Sequence, residues 1–233
     1  MEWVVALALG ILPGLVWLVF FLREDDHPEP KTMILKVFVA GGVSAIVALL
    51  LQALTETFFK QTLVLTLPQL VEENVVPYLA FSLIEEGIKF LLVFLVVRKS
   101  VDFDEPVDAM IYMIVAALGF AAAENIGYIL QNSDNALNIA YWRFLSATFL
   151  HTAASAIVGY FFAVSVIKQK HHFFFIMLGL IIASLLHALF NFLIITAEVF
   201  QHTAVSLLGL IIVLFCIVAF LFHRIKKMSF DIR

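Results

Sequence analysis

Seven stretches of this chain are each apolar for about the length of a bilayer crossing, roughly 17 to 25 residues: 3–22, 34–54, 75–97, 109–130, 142–167, 173–196 and 204–222. Soluble domains do not carry that many such runs. Composition agrees, with 63% hydrophobic residues, 14% charged residues and a mean hydropathy of +1.05. In lipid the backbone N–H and C=O groups have to be satisfied within each segment, so the runs are expected to be helices. The expected fold class is therefore all-α: a polytopic transmembrane helix bundle of seven spans, or eight, forming one domain over 1–233 with no internal repeat. The first run has Glu2 before it and Arg23 after it and lacks a basic leader region, so it is expected to be a retained helix. Cys216, the single cysteine, is expected to be a packed thiol.

The cations set an expected orientation. Of the 14 lysines and arginines, only Lys60 and Arg143 flank even-numbered connections and Lys89 lies inside a run; all the others follow odd-numbered runs. The positive-inside rule then puts the N-terminus outside and the C-terminus in the cytoplasm. The net charge of -4 adds little, because the placement of charge matters more than its sum.

The third run is the anomalous one. Within FSLIEEGIKF, residues 81–90, it carries Glu85, Glu86 and Lys89. An ionised group at the bilayer centre costs about 2.5–3.5 kcal/mol, so such residues pair, line wet cavities or do chemistry. Counting about 1.5 Å per helical residue from the outer boundary, Glu85 and Glu86 fall at roughly 15 Å, Glu124 at roughly 9 Å, and His151 and His187 at roughly 13 Å. Four separate runs thus bring their strongest polar groups into one slab of the outer half of the membrane. The other five histidines lie in connections or at ends and are assigned no role.

The spacing within each run suggests roles. Glu85 and Lys89, four apart, share a helical face, which makes Lys89 the expected counter-ion of Glu85. His187 and Asn191 are also four apart and suit the stabilisation of an oxyanion. His151 is followed by small residues, and Glu124 by Asn125 after three alanines, so close helix approach is expected around both. Such groups suit attack by water on a carbonyl: a carboxylate takes the proton while donors hold the developing negative charge. The chain has no G-x-S-x-G and no H-E-x-x-H. A metal site of His151, His187 and one glutamate has acceptable ligand types, and a structural ion pair or a proton relay in a coupled transporter are the competing readings of the same residues. The outer connection 55–74 is mixed in character and is expected to be an interfacial segment that covers the site or simply rests on the membrane.

Along much of its length the sequence resembles the PrsW family of intramembrane proteases. Glu85-Glu86-x-x-Lys89 is similar to that family's paired-glutamate motif. FDEPVDAMIY (103–112) resembles the lead into its next helix, GFAAAEN (119–125) its third-glutamate motif, and His151 and SLLHALFNF (184–192) its two histidine motifs in order. Some relatives have Asp where this chain has Asn191; an amide donates to an oxyanion but cannot serve as a base.

The resemblance implies a membrane-embedded endopeptidase of a bacterial cytoplasmic membrane, making the first cut in a single-span substrate such as an anti-sigma factor. Partners would be that substrate and the bilayer, with no nucleic acid. Carried over, Glu85 or Glu86 would activate water, Glu124 would complete the carboxylate set, His151 would assist proton transfer, His187 and Asn191 would polarise the carbonyl, and Lys89 and Asn125 would support them. It implies a metal-independent glutamate mechanism with no cofactor, the alternative being zinc on His151, His187 and a glutamate.

Overall fold

The computed structural model describes residues 2–25, 27–59, 75–168, 171–197 and 201–228. Among these the chain is helical throughout, with no strand. The helices are α1 (Glu2–Leu22), α2 (Lys31–Phe58), α3 (Val75–Val97), α4 (Pro106–Gln131), the short α5 (Ala136–Leu145), α6 (Ala147–Lys168), α7 (His172–Ala197) and α8 (Gln201–Lys226), with one 3-10 turn at Ser133–Asn135. Among the described residues six stretches are long and apolar enough to cross a membrane: α1, α2, α4, the segment from Ser133 to Lys168, α7 up to Ile194, and α8 from Val205. Helix α3 has the length but holds Glu85, Glu86 and Lys89.

Helix α4 is the hub. Every residue from Pro106 to Ala122 is buried, with α1, α2 and α6 packed around it. Its start is fixed locally: Pro106 suits the first turn, and Asp108 Oδ2 accepts from the backbone N–H groups of Asp104 at 2.9 Å and Glu105 at 2.7 Å. Small residues let its backbone touch that of α2. A Cβ on Gly41 would overlap the carbonyl oxygen of Ala116, and one on Gly119 would overlap that of Phe38. Such small-residue contacts replace the hydrophobic driving force that lipid removes. Helices α3 and α7 pack on each other, with α2 beside α3 and α6 beside α7. The outward faces of α1, α2 and α8 remain apolar, with Val4, Leu49 and Val205 among the exposed residues.

Two expectations change. The apolar run 142–167 is not one helix: the chain breaks at Ser146, leaving amphipathic α5, with Tyr141 and Trp142 exposed, ahead of α6. Hydropathy reads Leu145 and Phe149 as one apolar run and does not register the interruption at Ser146 between them. Cys216 is exposed on α8 rather than packed; in a helix apolar on every side, periodicity does not separate the core face from the outward one. The connection 55–74 begins as a continuation of α2 to Phe58, and from residue 60 it lies outside the described residues.

Candidate active site

Five of the residues singled out in the sequence meet at one point. Helix α3 supplies Glu85 and Glu86, α4 supplies Glu124, α6 supplies His151 and α7 supplies His187. All five are partnered across helices, as groups in an apolar medium have to be.

Glu86 is locked. Its Oε1 accepts from Lys89 Nζ at 2.5 Å and faces His187 Nδ1 at 3.1 Å, while Oε2 accepts from Ser155 Oγ at 3.0 Å. Both Glu86 and Lys89 are fully shielded from solvent. Lys89 is thus the counter-ion of Glu86 and not of Glu85, a correction to the helical-face argument. Residues three and four apart both fall on adjacent faces, and the choice was made by His187 and Ser155, which draw the Glu86 carboxylate to the lysine's side. Lys89 Nζ also lies 3.3 Å from His151 Nδ1 and 4.5 Å above the Phe120 ring.

Glu85 is held at one end only. Its Oε1 accepts from Gln52 Nε2 on α2 at 2.7 Å. Its Oε2 is buried without a hydrogen-bond partner among the described residues, 3.6 Å from His187 Nε2 and 3.9 Å from His151 Nδ1. The imidazoles are themselves oriented by carboxylates. Glu124 Oε2 takes Arg143 Nη2 at 2.8 Å and lies 3.0 Å from His151 Nε2; since an ionised carboxylate only accepts, His151 donates from Nε2 and keeps its lone pair on Nδ1. By the same reasoning His187 donates from Nδ1 to Glu86 and keeps its lone pair on Nε2. The two rings stand edge to face with centroids 4.9 Å apart. Two acceptors, Glu85 Oε2 and His187 Nε2, therefore face each other without a shared proton, while the His151 Nδ1 lone pair is turned to Lys89 Nζ. That arrangement suits a donor or a cation placed between the two acceptors.

Asn125 is buried and structural in its contacts: Nδ2 reaches Thr148 Oγ1 at 3.2 Å and the Gly10 carbonyl at 3.4 Å, and Oδ1 accepts from Arg143 Nε. Asn191 lies one turn beyond His187 on α7 and is half-buried; none of the hydrogen bonds joining the other five reaches it. Gln52 and Arg143 were not foreseen. Each carried a signal: Gln52 is an amide inside an otherwise apolar run, and Arg143 is one of only two cations on the even-numbered connections.

The fold and these contacts define a polytopic helical membrane protein with a buried carboxylate–imidazole centre assembled from four helices. The chain belongs to the PrsW family: the model described as PrsW family intramembrane metalloprotease matches residues 29–222. It is accordingly an intramembrane protease. Among curated relatives it is similar to Protease PrsW of Clostridioides difficile, 29% identical over 79% of this chain and 77% of the relative. Protease PrsW of Bacillus subtilis is 27% identical over 80% and 81%, and that of Geobacillus kaustophilus 26% over 82% and 80%. No solved structure matches the chain. Membership of a protease family favours hydrolysis over the proton-relay reading of the same residues.

Proposed function

We propose that this protein is an endopeptidase that cuts a single-span membrane protein near its extracytoplasmic side, with Glu85 as the group that takes the proton from water. The observation that carries the assignment is the asymmetry of the two glutamates. Glu86 has both oxygens committed to Lys89, His187 and Ser155, whereas Glu85 turns an unpartnered Oε2 toward the His187 Nε2 lone pair. A water held there donates to Glu85 and lies against His187, and attack on a peptide carbonyl passes its proton to Glu85. Glu86 and Glu124 act on the histidines, fixing which nitrogen of each ring faces inward. Asn191, one turn from His187, would donate to the developing oxyanion. With the N-terminus outside, as the distribution of cations favours, the centre lies in the outer half of a cytoplasmic membrane. That depth suits a first cut in a substrate such as an anti-sigma factor.

A second reading rests on the donor set itself. Glu85, His151 and His187 offer ligand atoms all within 4.8 Å of one another, and both imidazoles are backed by carboxylates in the manner of metal-bound histidines. These residues fit a divalent ion such as zinc, which when bound would supply Lewis acidity and a more acidic water. Against it stands Lys89 Nζ, a cation 3.3 Å from His151 Nδ1.

The test is cleavage of a tethered transmembrane peptide by the purified protein in detergent. Glu85→Gln should abolish cleavage with folding retained; full activity in that variant would sink the assignment. Metal content of the purified protein, measured together with chelation and zinc add-back, separates the two chemistries. Stoichiometric zinc whose removal stops cleavage selects the second.

A further inference from the structure

We propose that Arg143, on the short helix α5, is a positioning residue of this centre: it fixes the Glu124 carboxylate, and Glu124 in turn fixes His151 with Nδ1 turned inward. The proposal rests on the hydrolytic reading above.

Arg143 grips its surroundings on three sides. Nη2 donates to Glu124 Oε2 at 2.8 Å, Nε donates to Asn125 Oδ1, and the guanidinium lies 4.1 Å over the Tyr128 ring. The Glu124 oxygen it holds is the one that His151 Nε2 uses, at 3.0 Å. One carboxylate oxygen therefore joins a surface helix to a buried imidazole. Asn125, the second anchor, is itself tied to Thr148 and to the Gly10 carbonyl, so the guanidinium is set by α1, α4 and α6 together.

Exposure shows why such a clamp is needed. The Glu85, His151 and His187 side chains are at most 9% exposed, while Glu124 is 27% exposed. Glu124 is the most exposed member of the set. Left alone, a carboxylate so placed has room to turn away from His151 and release the imidazole to the other tautomer or another rotamer. The planar guanidinium donates from Nη2 to Glu124 and from Nε to Asn125 at once, a fixed fork that a lysine does not provide.

The experiment is a cleavage assay on a tethered transmembrane peptide with kcat and KM measured separately for wild type, Arg143→Met, Arg143→Lys, Glu124→Gln and the double variant Glu124→Gln/Arg143→Met. We expect Arg143→Met to lower kcat by about ten- to hundredfold, the scale usual for partners that orient a working ligand, with KM within about twofold. Arg143→Lys should recover part of the loss. In the Glu124→Gln background Arg143→Met should cost almost nothing further, because its effect runs through the carboxylate. Should Arg143→Met fail to fold, Arg143→Lys takes its place in the cycle. Losses that multiply in the double variant, an effect on KM alone, or an unchanged kcat would overturn the proposal while leaving the hydrolytic reading intact. A wild type that never cleaves overturns both.

Discussion

Gln52 and Glu85, on neighbouring helices α2 and α3, are joined at 2.7 Å through Oε1, which leaves Oε2 of the same carboxylate aimed at His187 Nε2 at 3.6 Å. The amide decides which oxygen of Glu85 is free. Replacing it with methionine keeps the length and removes the donor. A hydrogen bond to a charged group contributes about 1.5–3 kcal/mol, so kcat in Gln52→Met should fall by about tenfold or more. KM should change little, and the unfolding midpoint should fall by no more than the loss of that one hydrogen bond. Unaltered kcat in a folded Gln52→Met protein would show that Glu85 needs no such guide.

Lys89 tests a different kind of dependence. Its ammonium is enclosed with Glu86, and breaking a buried pair by removing one partner costs about 3–5 kcal/mol, because the other charge is left unpaired. Lys89→Met should therefore unfold at markedly lower denaturant in detergent. Glu86→Gln/Lys89→Met, which removes both charges, should regain much of that stability. If the single variant matches wild type in an unfolding titration, Glu86 does not depend on the lysine.

Adjacent glycines on α2 offer a sharp contrast. Gly41 meets the Ala116 carbonyl with no room for a methyl group, whereas a Cβ on Gly42 would sit 3.7 Å from the Gly119 carbonyl, an ordinary contact. Gly41→Ala should prise α2 from α4 and lower the thermal midpoint. Gly42→Ala should be neutral or slightly stabilising, since alanine is favoured over glycine in a helix by about 1 kcal/mol. Equal midpoints for the two variants would contradict the backbone contact.

These tests divide along the line between what the sequence discloses and what it hides. Glu85, Glu86, Glu124, His151 and His187 were legible because a bilayer penalises polar side chains severely enough that residues at a common depth are drawn together. Their pairings were not legible. Lys89 could reach either glutamate by helical geometry, and the decision lay with Ser155 and His187 on two other helices. Gln52 and Arg143 escaped because an amide or an arginine near a helix end is commonplace until a carboxylate is found opposite it. The break at Ser146 and the outward-facing Cys216 share one cause: hydropathy reports that a segment is apolar but not where its helix is interrupted or which side faces outward.

The last prediction concerns the far end of α4, away from the hydrolytic centre. Glu29, in the connection between α1 and α2, accepts from the Tyr112 hydroxyl and lies among Asp25 and Asp108. Burial raises its carboxyl from an ordinary 4.5 to about 8, with the neighbouring acids adding to the rise and the Tyr112 hydrogen bond opposing it. The folded protein therefore keeps a proton that the unfolded chain has already lost. Stability from this group is complete below about pH 4.5, falls as pH rises, and is gone once the folded carboxyl ionises near 8. His27 pairs with Glu105 at 2.7 Å beside this cluster, and a His27→Gln variant serves as the control. Thermal midpoints between about pH 5 and about pH 8.5 should decline in wild type and decline less in Glu29→Gln, with the variant the more stable of the two at the alkaline end. Parallel curves for Glu29→Gln and wild type would show that this carboxyl is ionised in the folded state as readily as in the unfolded chain.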